Sequence, residues 1–445
     1  MPIISPKNWL VKKLIYSGAA LFFVGMQLYS SPTPVSAYNF DDIIRSFERD
    51  FNRENPVKMQ GRFEAIIQDI TQMASDKKVN IVFRSRGDVK QEHFSMEMEK
   101  QTLKDEDMIR GFEYLLKQFG LLEKDFTLKE ALLGTQYDNI YGFYDPQKKH
   151  IVVIEGTDNS IARQTLFHEL VHSAQDKTID LTKLYEKYGD GVDSSLAVSA
   201  LVEGQASAVP IIVQVEQNLQ GKTTTEILKP FIDQMGNDFY DREREEKAFL
   251  SDLNTFPYFF GLRFVLQRYV NGGSNFIDMF EKVPCSTEQI LHLEKFDKNE
   301  GPVITPLEKK RPMISKLSNV KLLLETTLGE FFISQIFFDV LETERMREVS
   351  AGWGGDRVFV LEAEDEVYFI WDTVWDSEKD AQEFYQAFFD FSKKFLDVEN
   401  PIQRDDSNAV LRKGKTQVDL KRAKERVVII QGNIPPDTLK TLKEI

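Results

Sequence analysis

The run Ile161-Ala-Arg-Gln-Thr-Leu-Phe-His-Glu-Leu-Val-His-Ser-Ala-Gln-Asp176 decides how this chain is read. Leu166, Phe167, Leu170, Val171 and Ala174 recur at helical spacing with no Pro or Gly between them, so the run predicts a helix with an apolar stripe. His168 and His172, four apart, then stand one above the other on a single face. Both imidazoles can reach one ion, and tetrahedral Zn²⁺ accepts such a pair at about 2.0–2.1 Å. Glu169 lies about a quarter turn further round, placed to take a proton from a water at the same point. The chain has five histidines, and the chance of this spacing with Glu directly after the first is about 0.4%.

A catalytic zinc takes three protein ligands and leaves one position for water. The next long helix is predicted over about Ser194 to Gln217, where Leu196, Val198, Ala200, Leu201, Val202, Ala206 and Val209 would bury most of the surface. Glu203 stands among them, and a carboxylate there is costly unless paired or bound to metal. Gly204 and Ala206 allow the two helices a close approach. The alternative is a Glu203 that faces solvent or pairs with Lys or Arg. Asp176, Asp180, Glu186, Asp190 and Asp193 are weaker competitors for the third ligand, because their surroundings are polar or turn-like.

His168 to Asp176, followed by Glu203-Gly204-Gln205-Ala206, resembles the gluzincin branch of the HExxH zinc metallopeptidases. More narrowly it is similar to a group of bacterial secreted or membrane-associated members. In that group a Gly-Phe-Tyr-Asp hairpin precedes the motif and a Gly-Trp-Gly-Gly-Asp segment follows it. Here these are Gly142-Phe143-Tyr144-Asp145 and Gly352-Trp353-Gly354-Gly355-Asp356, and the resemblance covers roughly residues 40 to 445. It implies zinc held by His168, His172 and Glu203, with Glu169 as general base. The implied fold class is α+β: a mainly helical zincin-like core with a small edge sheet or hairpin, followed by a C-terminal α+β unit. The strand Gly142 to Tyr144 would lie beside the cleft and pair with substrate backbone.

The resemblance also implies a donor opposite the metal, aimed where negative charge develops on the attacked carbonyl. Tyr258 is the candidate, near the start of a helix expected to begin at about Pro257. His292 is its rival, while His93 and His150 read as surface or strand residues. Three positions depart from the family pattern. Ser173 stands where Ala is usual and Gln205 where Asp is usual, and Ser207 replaces an acidic residue that braces a histidine. Asp176, four beyond His172, is expected to take over part of that bracing. The resemblance supplies no substrate.

Lys7, Lys12 and Lys13 precede the apolar run Leu14 to Tyr29, and Val35-Ser36-Ala37 follows. That order describes a secretory signal peptide over residues 1–37, or an uncleaved anchor. No other segment approaches spanning length by this reading. Cys285 is the sole cysteine, so neither an intrachain disulfide nor a thiolate zinc site can form, and no cysteine near residue 37 can carry a lipid. The net charge of −15 argues against nucleic acid and against an anionic membrane face.

Beyond the signal, residues 38–134 read as a mostly helical region, 135–300 as the metallopeptidase core and 301–445 as the C-terminal unit. Ile140–Tyr144 and His150–Ile154 flank Asp145-Pro-Gln-Lys-Lys149, a hairpin signal. Residues 301–312, rich in Lys and Pro, read as a linker or long loop. Leu322 to Leu341 reads as helix, Gly352 to Asp356 as a glycine-rich turn, Arg357–Leu361, Val367–Val374 and Val427–Gln431 as strands, and Asp380–Leu396 as an amphipathic helix. Gly352 to Asp356 lacks P-loop or dinucleotide spacing, which argues against phosphate binding there. These features describe an exported zinc endopeptidase acting on a peptide or protein substrate. The competing expectation is a scaffold, with or without zinc, that binds an envelope partner and cleaves nothing.

Overall fold

The computed structural model describes residues 56–74, 78–92, 103–129, 140–241, 249–272, 275–314 and 319–444. The expected signal segment and His93 lie outside them.

His150-Ile-Val-Val-Ile154 is a run of β-branched residues, and such runs fit a strand covered on both faces. It forms β3 (His150–Ile154), the centre of a three-stranded sheet. β1 (Asn80–Arg84) pairs with it in parallel, and β2 (Gly142–Asp145) pairs antiparallel as an edge strand. The expected hairpin is therefore present. Its turn is set by Asp145 Oδ1, which accepts from the backbone N–H of Gln147 and Lys148.

Five long helices make up most of the rest of this half: α1 (Pro56–Thr71), α3 (Asn159–Ile179), α5 (Val192–Gln217), α6 (Thr224–Asp241) and α7 (Phe249–Gly272). α2 (Leu103–Gln118) lies towards the C-terminal sheet, and α4 (Leu181–Tyr188) is short. Asp158 caps the start of α3 by accepting from Ser160 N–H. Asp180, at φ 56°, ends it and at once caps α4 through Lys183 N–H. Phe63 of α1 stacks on Phe167 of α3 at 4.7 Å, tying α1 to the helix that carries His168 and His172.

α5 is long and apolar enough to cross a membrane by composition, which corrects the reading that only the N-terminus approaches this. It is instead the central helix, with 94% of that stretch enclosed by protein. A helix apolar on all sides belongs at the middle of a core. α7 crosses it where glycines meet. A Cβ on Gly204 would lie inside contact distance of the Gly261 backbone, and one on Gly261 would strike Ala200. α7 begins at Phe249, eight residues before Pro257, so Pro257 is an interior residue and the expected start is too late. Burial of Phe249, Leu253 and Phe256 holds the turns ahead of it and outweighs the missing N–H.

The C-terminal part is a seven-stranded antiparallel sheet in the order β4-β5-β6-β10-β9-β8-β7. Its strands are β4 (Lys321–Thr326), β5 (Trp353–Ala363), β6 (Glu366–Trp375), β7 (Gln403–Arg404), β8 (Asn408–Lys413), β9 (Thr416–Ala423) and β10 (Arg426–Gly432). Helices α8 (Gly329–Phe337), α9 (Thr343–Ala351), α10 (Glu378–Leu396) and α11 (Pro436–Glu444) accompany it. The fold class is α+β.

Two expectations fail here. The run Leu322 to Leu341 is not one helix: it is β4, a break, and α8, with Gly329 at φ 84° making the break. Gly352 to Asp356 is not a free turn but the bulged start of β5. Buried Asp356 accepts from Trp353 Nε1, Trp371 Nε1, Leu328 N–H and Gly329 N–H, each at 3.0 Å at its nearest oxygen. One carboxylate thus ties two strands to the start of α8. Residues 301–312 cross the sheet rather than hang free, with Val303 N–H on Gly354 O and Leu307 N–H on Asp372.

α2 and the residue after it pack on this sheet as well, Phe119 lying 5.3 Å from both Phe369 and Trp371. α5 is anchored from the same side. Val192 N–H donates to Thr326 Oγ1 and Asp193 N–H to Thr327 O, so the sheet fixes the start of the helix that carries Glu203.

Candidate metal centre

Glu203 faces α3, not solvent. Its Oε2 lies 3.1 Å from His168 Nε2 and 3.2 Å from His172 Nε2, and the two nitrogens are 3.0 Å apart. Ligands on a tetrahedral zinc with bonds of about 2.0–2.1 Å stand about 3.3 Å from one another. Three donor atoms from α3 and α5 therefore converge as ligands of a single ion do, and all three residues are buried. The donor set, two imidazoles and a carboxylate, suits zinc among several divalent metals.

The expected competitors are elsewhere. Glu186 and Asp190 are exposed. Asp180 caps α4, and Asp193 accepts from Thr287 N–H and Oγ1. Asp176 does not brace His172. Its Oδ2 accepts from Tyr144 OH at 2.8 Å and from Lys149 Nζ at 2.5 Å, and its Oδ1 from Leu181 N–H. One residue along the helix turns its side chain by about 100°, towards the β2–β3 hairpin and away from the ligand cluster. Ser207 Oγ is buried with no hydrogen-bond partner.

Gln175, which the sequence reading passed over, is the group beside His172. Its Oε1 lies 2.8 Å from His172 Nδ1, and its Nε2 donates to Val202 O and to Gln205 Oε1. Gln205 Nε2 donates in turn to Phe276 O. With its amide N–H groups committed, Gln175 accepts from Nδ1–H. That fixes the tautomer whose Nε2 lone pair points at the cluster. The signals were present in the sequence: Gln175 is three residues after His172, and Gln205 is one of the departures from the family pattern.

The charges at the site are strongly coupled. Burial alone would raise the Glu203 carboxyl, but His172 and His168 outweigh it and hold Glu203 well below the usual carboxylate range. Burial would lower His172, but Glu203 and then Glu169 outweigh it and push it up to about 9. Glu203 therefore stays an anionic donor beside a His172 drawn towards positive charge, which is the electrostatic demand a divalent cation meets.

Glu169 points to the other side of the cluster. Its Oε2 accepts from Tyr144 N–H at 2.8 Å, so edge strand β2 fixes its direction. Burial pushes its carboxyl up against the pull of His168 and His172. Tyr258 of α7 completes the lining, its ring centroid 6.1 Å from that of His168 and its hydroxyl hydrogen-bonded to Glu203. Burial, then the charges of Glu203 and Glu169, drive its phenol far up, so it is a neutral donor. His292 is remote from this group and pairs with Glu330 at 2.9 Å. The cavity over the cluster measures about 40 Å³ and is bounded by Phe143, Tyr144, Pro146, Leu181, Tyr185 and Val202 beside the site residues.

Residues 321–443 match a family model described as a domain of unknown function, DUF8575, which corresponds to β4 through α11. No curated protein and no solved structure matches the chain. The metal cluster lies outside the matched segment.

Proposed function

We propose that this chain is an exported zinc-dependent peptidase of gluzincin type, acting on a peptide or protein substrate. The convergence of His168, His172 and Glu203, with Glu169 directly beside them, carries this reading. The antiparallel edge strand β2 alongside α3 supports a zincin-like core, since such a strand can pair with an extended peptide. The charge order of the N-terminal 37 residues supports export.

Zinc, when bound, polarises a carbonyl and lowers the pKa of water. Glu169 accepts the proton of the attacking water and passes it to the leaving amine, and burial pushes its carboxyl up, towards a stronger base. Tyr258 donates its hydroxyl hydrogen to the oxyanion. Tyr144 N–H keeps Glu169 aimed, and Gln175 keeps His172 in its ligand tautomer. A cavity of about 40 Å³ has room for water but not for a peptide.

The small cavity favours a second reading, a metal-holding scaffold that cleaves nothing. Metal content and peptide-library cleavage, measured on wild type and Glu169→Gln, separate the two. The peptidase predicts about one zinc per chain in both proteins and cleavage only in wild type. Zinc without cleavage in wild type leaves the zinc-holding scaffold, and a folded chain that takes up no metal sinks the peptidase and leaves the metal-free form of the scaffold.

A further inference from the structure

Strand β2 lies along one face of α3 and meets it at three levels. Gly142 is at the first. A Cβ there would stand 2.6 Å from Val152 O and 2.8 Å from Thr165 Cγ2, so glycine lets the strand come this close to the helix. Tyr144 supplies the other two levels. Its backbone N–H donates to Glu169 Oε2 and its hydroxyl to Asp176 Oδ2, each at 2.8 Å. Gly142 and Tyr144 share a face of the strand because side chains alternate along it. Thr165, Glu169 and Asp176 share a face of the helix because they are separated by close to whole turns. The two periods match, and the short strand is splinted to the helix that carries His168 and His172.

Asp176 is the far anchor of this splint, and it is buried. Besides Tyr144 it accepts from Lys149 Nζ in the β2–β3 turn and from Leu181 N–H at the start of α4. The hairpin supplies Phe143, Tyr144 and Pro146 to the cavity over the cluster, and α4 supplies Leu181 and Tyr185. Asp176 thus ties both walls to α3 while lying outside the cavity lining. A glutamate side chain has three torsions to settle, and the bond from Tyr144 N–H settles where the Glu169 carboxylate points. That N–H keeps its place while the rest of Tyr144 is held, and the hydroxyl bond to Asp176 holds it.

We propose that Tyr144 and Asp176 are positioning residues for Glu169: their hydrogen bond keeps the Tyr144 backbone N–H on the Glu169 carboxylate. Their service to catalysis rests on the peptidase reading, whereas the aiming of Glu169 does not. Hydrogen-exchange mass spectrometry at residue resolution, on the full-length chain as purified, reads the Tyr144 amide directly. Glu169→Ala removes the acceptor and sets the rate of the released amide. Tyr144→Phe removes only the hydroxyl and should speed exchange at residue 144 about five- to tenfold, the factor for one lost hydrogen bond. Asp176→Ala should do the same. Exchange at Tyr368, in β6 of the C-terminal sheet, should keep its wild-type rate in both.

On a peptide that wild type cleaves, Tyr144→Phe should lower kcat about ten- to a hundredfold, as a misplaced base does, with KM little changed. Unchanged exchange at residue 144 in both variants overturns the proposal. So does a rise shared equally by Tyr368, which would make the pair a prop of the whole fold, or a wild-type kcat in Tyr144→Phe once its amide is released. If wild type cleaves nothing, the peptidase reading falls, and the exchange rates alone decide whether Tyr144 and Asp176 aim Glu169.

Discussion

Gly204 of α5 and Gly261 of α7 approach so closely that neither position has room for a Cβ, and this crossing places Glu203 and Tyr258 in one site. Glu203 precedes one glycine and Tyr258 lies three residues before the other. The helix separation that the glycines allow is therefore the separation between Glu203 and the phenol hydrogen-bonded to it.

Gly204→Ala tests that coupling. Alanine gains about 1 kcal/mol over glycine in a helix, and overpacking costs about 1–3 kcal/mol or more. The obstacle is backbone rather than a mobile side chain, so overpacking wins, and a net loss of about 2 kcal/mol is expected. Urea unfolding should show it, together with weaker zinc binding. Gly61→Ala in α1, where nothing lies within 4 Å of the new Cβ, should instead stabilise by about 0.5–1 kcal/mol. Equal behaviour of the two variants would remove the crossing as a determinant of the site.

Gln175→Leu removes the acceptor from His172 Nδ1 without touching a ligand. Partners of this kind change metal affinity by about 10–100-fold, and a loss in that range is expected in a competition titration with a chromogenic chelator. Gln175→Glu keeps an acceptor for Nδ1–H but loses the donations to Val202 O and Gln205 Oε1, so zinc affinity should fall between those of the leucine variant and wild type. A leucine variant with unchanged affinity would show that the tautomer is fixed by other means.

Tyr258→Phe distinguishes a catalytic donor from a group that only steadies Glu203. As an oxyanion donor, Tyr258 should be worth about 10²–10³ in kcat, with zinc content intact. If zinc affinity falls while kcat on the loaded enzyme holds, the hydroxyl serves Glu203 alone.

The metal cluster was legible because helix geometry alone dictates that residues four apart share a face, and because a carboxylate inside an apolar helix requires a partner. Its supports were less legible. Whether Gln175 or Asp176 reaches His172 depends on where α5 and the β2–β3 hairpin lie, and local spacing carries no such information. The same limit explains Leu322 to Leu341. An apolar run reads equally as strand or helix until β5 pairs with its first half and Gly329 breaks the chain. β8 and β9 escaped notice because their buried apolar positions, Ala409, Leu411, Val418 and Leu420, are few and interleaved with polar or isolated residues, Gln417 and Asp419 among them buried as well. Asp356 is the reverse case. The Gly-Trp-Gly-Gly-Asp segment stood out as a motif, yet its carboxylate is wholly engaged in joining β5 and β6 to α8.

Asp193 gives the fold a pH dependence of definite sign. It is buried where α5 meets the C-terminal sheet, its Oδ1 accepting from Thr287 N–H and Oγ1 while its Oδ2 has no partner. Burial pushes its carboxyl up to about 8 against the Thr287 hydrogen bonds, with Asp356 and Glu330 adding to the rise. In the unfolded chain the same group titrates near about 3.9. Between these values the folded state holds a proton that the unfolded state has released, so stability falls as pH rises through this window. Above about pH 8 the native state carries a buried, unmatched charge, and this destabilisation is then complete. Thermal unfolding should show Tm falling between about pH 4 and pH 8 and levelling above it. Asp193→Asn keeps an acceptor for Thr287 and cannot ionise, so it should flatten that slope and unfold above wild type at the alkaline end. An unchanged slope in Asp193→Asn would assign the alkaline loss to other groups.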